Sequence, residues 1–283
     1  MDQTPPPPPP PPPPPMPGGS TIPQRGIGDI LSAAFELYKR NWQTLMGITA
    51  VVAIPVAFVQ TFLAHQLTRS VTTETINLGG NGTQTVVVTS PGFARNLLAE
   101  LTLLLLSVVV YALITGAITR AVASETAGLP IGLSDSYNYA GGRILPILWV
   151  SILCGLAVVL GFIFFVIPGI FILFKLSVTV PALVVENRRG SDALGRSWDL
   201  VKGHWWHVFG ALVLAWIISA VAGAILSAPF SAWPVRAIGS AIAQVVTLPF
   251  TTTVGVLLYL DLRARKEALA VETLRSELQS QTA

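Results

Sequence analysis

Six apolar stretches run through this chain, at residues 44–64, 96–118, 145–166, 169–185, 206–226 and 237–260. Each is near the ~20 residues that an α-helix needs to cross a bilayer. Pro168 and Gly169 interrupt the longest apolar run and predict a tight turn between the third and fourth helices. Pro55 and Pro249 fall inside spans, where neighbouring groups can re-satisfy the carbonyl that each proline frees. Residues 65–95 break the pattern. Their Thr/Val-rich runs flank "GGNG" and predict a short external β-hairpin. Asn81, Gly82 and Thr83 there form a glycosylation sequon, a pattern that also arises by chance.

The polar segments before the spans carry a repeat. "DILSAAFELYKRNWQTLMG" from Asp29 aligns without gaps on "DALGRSWDLVKGHWWHVFG" from Asp192. Leu31, Phe35, Tyr38 and Trp42 are spaced i, i+4, i+7 and i+11, and Leu194, Trp198, Val201 and Trp205 repeat that spacing. Each set predicts one apolar stripe on a helix. Glu36, Lys39 and Arg40, or Arg196, Asp199 and Lys202, fall opposite, and Asp29 and Asp192 stand where N-caps are expected. Both helices lead straight into a span, so they are expected to lie in the membrane interface with the apolar face down. Trp42, Trp198, Trp205 and Trp206 are then interfacial anchors. A degenerate third copy is expected at "LSDSYNYAGGRILPILWV" from Leu133. The predicted fold is an all-α membrane protein. Its six transmembrane helices form three units of interfacial amphipathic helix plus helical hairpin, at about 26–118, 119–186 and 187–262.

Charge orients these units. With the N-terminus inside, 13 lysines and arginines fall on cytoplasmic segments and 3 outside, leaving Lys175 within the membrane. A multi-pass protein of the cell (inner or plasma) membrane is expected, with both termini cytoplasmic. Composition agrees: 52% of residues are hydrophobic and 11% charged, where soluble domains carry about 25% charged residues. Residues 1–25 read as a disordered Pro-rich cytoplasmic tail, with 5–15 all proline and polyproline II the natural conformation. Residues 263–283 read as a cytoplasmic helical tail, with Leu262, Leu269, Leu274 and Leu278 on its apolar side.

Candidate chemistry is sparse. Cys154 stands alone in an apolar run and excludes an intrachain disulfide. His204 and His207 share a helical face, but no carboxylate or cysteine joins them at ligand spacing. Asp261 in "YLDLRARKE" reads as a salt-bridged stop signal. No nucleophile elbow, phosphate loop, zincin or dinucleotide motif occurs. Neither cofactor nor metal is expected. The expected partners are membrane lipids, and proteins bound through the Pro-rich tail or the C-terminal helix, with no nucleic acid.

"IPGI" at residues 167–170, "PALVVENRRGSDALGRSWDLVKGHWW" at 181–206 and "LLYLDLRAR" at 257–265 resemble the bacterial membrane domain named after glycerophosphoryl diester phosphodiesterases. The resemblance implies a standalone membrane domain in membrane or envelope lipid biology. The catalytic barrel of those phosphodiesterases has no room in this chain.

Three intramembrane polar residues remain: Glu100, Lys175 and Gln244. An isolated charge there costs a few kcal/mol. Glu100 and Lys175 are therefore expected to face one interior site, with Gln244 nearby. The functional expectation is a non-enzymatic polytopic protein with a scaffold, regulatory or lipid-associated role. A transporter or channel component is the alternative, distinguished by an open polar cavity reaching mid-membrane. A membrane-embedded lipid enzyme is the third reading.

Overall fold

The computed structural model describes residues 21–68, 93–130, 132–188, 190–230 and 235–281. The polyproline run, the sequon and most of the expected β-hairpin lie outside the described residues. Among those described there is no strand, only an isolated bridge between Thr21 and Ala270. The helices are α1 (Ile27–Arg40), α2 (Trp42–Thr68), α3 (Phe93–Thr126), α4 (Leu133–Gly142), α5 (Ile144–Phe164), α6 (Val166–Lys175), α7 (Thr179–Glu186), α8 (Ser191–Val201), α9 (Trp205–Ser227), α10 (Arg236–Glu267) and α11 (Val271–Gln279). Six stretches are helical, long and apolar enough to cross a membrane: α2, α3, α5, the α6–α7 pair, α9 and α10.

Each short helix, α1, α4 and α8, turns into a long one at a residue of one conformation, which follows α1 and α4 directly but follows Lys202 and Gly203 after α8. Asn41 has φ −118° and ψ 25°, Arg143 −119° and 16°, and His204 −123° and 21°. The elbows register the copies, so that Ala34, Ser136 and Ser197 become equivalent. All three small residues are buried. Each short helix packs on the hairpin of the preceding unit: α4 on α2 and α3, α8 on α5, α6 and α7, and α1 on α9 and α10. The ring thus closes on itself. Tyrosines fasten two of these contacts. The Tyr38 hydroxyl donates to the Val246 carbonyl at 3.1 Å, and Tyr137 donates to that of Ile48. Burial pushes the Tyr137 phenol up to about 12. The second helices, α3, α7 and α10, pack on one another at the centre.

Glycines set two close approaches in the ring. A Cβ on Gly210 would lie 2.8 Å from Ile27 Cδ1, and one on Gly47 would lie 3.0 Å from Leu133 Cδ1. Small residues here let the first residue of a short helix seat against a long one.

The face that each helix buries in the bundle differs from the predicted stripe. In α1 the buried residues are Ile30, Leu31, Ala34 and Leu37, and in α8 they are Ala193, Ser197, Leu200 and Val201. Phe35 and Trp198, on the stripe expected to face the membrane, are 55% and 41% exposed. Arg196, placed outward, turns inward. Apolar surface therefore lies on two sides of each helix, and hydrophobicity alone did not choose between them. Nor are the aspartates N-caps. Asp29 is the third residue of α1 and accepts the Gly26 N–H at 3.1 Å, and Asp192 is the second residue of α8.

The turn between α5 and α6 is one extended residue, Phe165, rather than Pro168 and Gly169. Pro168 is the third residue of α6, where its missing N–H has no intrahelical partner to lose. Gly169 serves packing, since a Cβ there would come within 2.5 Å of the Phe162 ring. The fourth span is broken after Lys175. A helix running through this point would drive the Pro181 ring into the Ser177 carbonyl. Instead α7 restarts at Thr179, which makes Pro181 its third residue.

One end of the bundle is polar. There α11 folds back rather than extending as a tail, with Leu274 and Leu278 fully buried. Arg263 grips both Glu277 oxygens at 2.8 and 2.9 Å, and Arg120 donates to the Leu278 carbonyl at 2.8 Å. Residues before α1 join this end, where the Ile22 N–H donates to the Leu269 carbonyl at 2.9 Å.

Candidate functional site

A cavity of about 620 Å³ opens where the three units meet. Central helix α3 contributes Tyr111, Thr115 and Thr119, spaced four apart on one face. The break between α6 and α7 contributes Ser177 and Thr179, and α10 contributes Gln244, Thr251 and Thr252. The outer helices α5 and α9 add Cys154, Gly155, Leu212 and Trp216. Tyr111 and Trp216 are 54% and 44% exposed, so the cavity is open.

Its threonine hydroxyls are held by nearby backbone carbonyls. Thr115 donates to the Tyr111 carbonyl at 2.7 Å, Thr119 to Thr115 at 2.6 Å, Thr179 to Leu176 at 2.7 Å and Thr252 to Leu248 at 2.9 Å. The hydroxyl hydrogens are thus engaged, and the oxygen lone pairs remain available. The wall can accept hydrogen bonds along an apolar hollow. No His, Asp, Glu or Lys is among the residues that line it.

Of the three expected polar residues, only Gln244 lines the cavity. Glu100 is exposed on α3, eleven residues before Tyr111 and therefore roughly 16 Å along the helix. Lys175 is 5% exposed and turns to α8. Its carbonyl accepts the Ser197 hydroxyl at 2.8 Å, and its ammonium stands 5.1 Å from the Trp198 ring centre and 5.5 Å from that of Phe171. The structure does not join Glu100 to Lys175, because the break sets Lys175 against the short helix of the next unit.

The tryptophans divide. Trp42, Trp198 and Trp206 are 51%, 41% and 76% exposed. Trp205 instead stacks on Phe171 and Phe209, with centroids at 5.8 and 5.1 Å, and meets Phe174 edge-on.

Of a charge network at the polar end, sequence reasoning expected only the salt bridge of Asp261 and missed the rest. Glu186 accepts Arg188 Nε at 2.7 Å, Arg196 Nε at 2.8 Å and the Tyr259 hydroxyl at 2.8 Å. Arg196 also pairs with Glu267. Burial opposes the Arg196 charge, but Glu186 and Glu267 more than offset it and raise its pKa above the ordinary arginine value. Asp261 is 1% exposed, accepts the Arg25 N–H at 2.6 Å and Arg265 Nε at 2.7 Å, and lies 3.2 Å from His207 Nε2. Among the described residues no group of three His, Cys, Asp or Glu side chains gathers in a way that could hold a metal.

A family model, that of a domain of unknown function (DUF7847), matches residues 150–262. This stretch takes in the helix break, α8, α9 and most of α10. No curated protein and no solved structure matches the chain.

Proposed function

We propose that this is a multi-pass protein of the cell membrane, with both termini cytoplasmic, that holds a membrane lipid in its central cavity without transforming it. The open, hydroxyl-lined hollow at the junction of the three units carries the reading. A lipid's chains fit its apolar surface, and hydroxyl or amine groups near its headgroup can donate to the threonine oxygens. Membrane placement is supported by the apolar exterior. Phe58, Leu145, Phe164 and Ile167 are 71%, 75%, 74% and 80% exposed, more apolar surface than a water-soluble monomer shows. The 13-to-3 bias of lysine and arginine supports the orientation. In this setting α1, α4 and α8 lie along the cytoplasmic interface, each starting a unit. The resemblance to the phosphodiesterase-associated membrane domain fits a place in lipid biology.

Gly155 and Gly255 line the cavity, and a Cβ on either meets nothing within 4 Å. The Gly155→Leu/Gly255→Leu protein should fold normally but lose several-fold of the lipid that co-purifies in mild detergent, read by mass spectrometry. Equal lipid retention by both proteins would reject the reading. Cysteines at Gly80 and Ser191 should label from opposite sides of intact cells, and labelling of both from outside would overturn the orientation.

The broken fourth span favours a second reading, a transporter. Irregular backbone at membrane depth is tolerated where it lines a cavity. Ligand flux across vesicles bearing the protein separates transport from holding.

A further inference from the structure

Lys175 presents a chemical problem that the cavity does not explain. Its side chain is largely buried but its ammonium still reaches the surface, and there it has no hydrogen bond or ion pair among the described residues. Two aromatic faces, Phe171 and Trp198, supply what attraction it has. The other charges acting on it are Lys266 and Lys202, which repel, and Asp199, which attracts. Lys266 is itself held to the Asp199 carbonyl. The corner therefore carries three cations against one carboxylate. Trp205, stacked on the same Phe171 ring, has a buried indole N–H with no partner. Two donors without acceptors thus flank one phenyl ring, in a field that is net positive.

We propose that Lys175, with Lys202 and Lys266, binds the phosphate of an anionic membrane lipid. A phosphate oxygen supplies the acceptor that the lysine lacks and relieves the repulsion among the three ammonium groups. The surroundings select a lipid over a soluble ion. Ile167 and Phe171, one turn apart on α6, and Trp198 and Trp206 beside the elbow are all exposed apolar side chains. They form a collar for acyl chains around the charged corner. The site lies on the α8 side of the break, with Phe174 between it and the cavity, so it does not depend on what the cavity holds.

The test measures binding of short-chain phosphatidic acid to the purified full-length protein by native mass spectrometry. Diacylglycerol of the same chain length and inorganic phosphate are the comparison probes. The unaltered protein should bind phosphatidic acid at least about tenfold more tightly than either probe. Lys175→Met should abolish that preference. Lys202→Glu/Lys266→Glu changes exposed positions and should weaken phosphatidic acid binding at least about tenfold even if Lys175→Met does not fold. Unchanged binding in the Lys202→Glu/Lys266→Glu protein overturns the site. Inorganic phosphate binding as tightly as phosphatidic acid overturns the lipid assignment. Loss of cavity lipid in Gly155→Leu/Gly255→Leu, with phosphatidic acid binding kept, separates this site from the cavity.

Discussion

Helices α1 and α8 are copies of one element, and they are fastened differently. Both lead into a long helix through a residue of one conformation, Asn41 or His204, and both seat on the hairpin of the preceding unit. Beneath α1 runs α10, a continuous helix whose backbone groups are largely paired within it. Ile30, Ala34 and Leu37 pack there, and the Tyr38 hydroxyl adds one bond. Beneath α8 lies the break between α6 and α7. Ser197 replaces Ala34 and satisfies the Lys175 carbonyl, which the interrupted helix leaves open. Arg196 replaces Ala33 and ties α8 to Glu186 and Glu267. Over a continuous helix α1 relies mainly on packing, with polar ties at its ends, at Arg25 to Asp261 and Arg40 to Glu125. Over a broken one α8 needs polar partners in its middle for what the break exposes.

The ionic tie should matter most. Arg196→Leu strands Glu186, which is 7% exposed. The expected loss is about 3 kcal/mol, the low end for a broken buried pair, because Tyr259 and Arg188 remain. Thermal unfolding in detergent measures it, and a change within error would mean that α8 is held by packing, as α1 is. The bridging hydroxyl comes next. Ser197→Ala should cost about 2 kcal/mol, because the Lys175 carbonyl is left buried without a partner. The reciprocal Ala34→Ser should cost about half that, since the new hydroxyl can donate back to its own helix. Equal losses would erase the distinction between the two seats. The smallest effect belongs to α1. Tyr38→Phe should cost about 1 kcal/mol, one ordinary hydrogen bond. It should speed hydrogen exchange in α1 and leave α8 unchanged.

Much of this was legible in the sequence. The gapless match between the segments at Asp29 and Asp192 located two short helices, and Trp42 and Trp205 do open equivalent long helices. Facing was less legible. Phe35 and Trp198 are apolar and point outward, as is expected of helices that border lipid. The apolar stripe therefore does not coincide with the face buried in the bundle. Prolines were read one step late. Pro168 and Pro181 each sit third in a helix, so the interruption precedes them by three residues. The same rule would have found the break after Lys175. Glu186, Arg196, Arg263 and Glu277 converge only because α11 folds back and the ring closes, and no local pattern records either event.

The closed ring also imposes an order on biosynthesis. Helix α1 leaves the ribosome first, yet its seat is made by α9 and α10, the latter ending at Glu267. More than two hundred residues separate the two, roughly 10–45 s of synthesis at about 5–20 residues per second. Through that interval the buried face of α1 is unmatched, and Ile27 lacks its glycine notch at Gly210 until α9 arrives. An early helix waits on a late one, and a nascent chain stalled before α10 would expose a surface that a chaperone or quality-control protease can recognise.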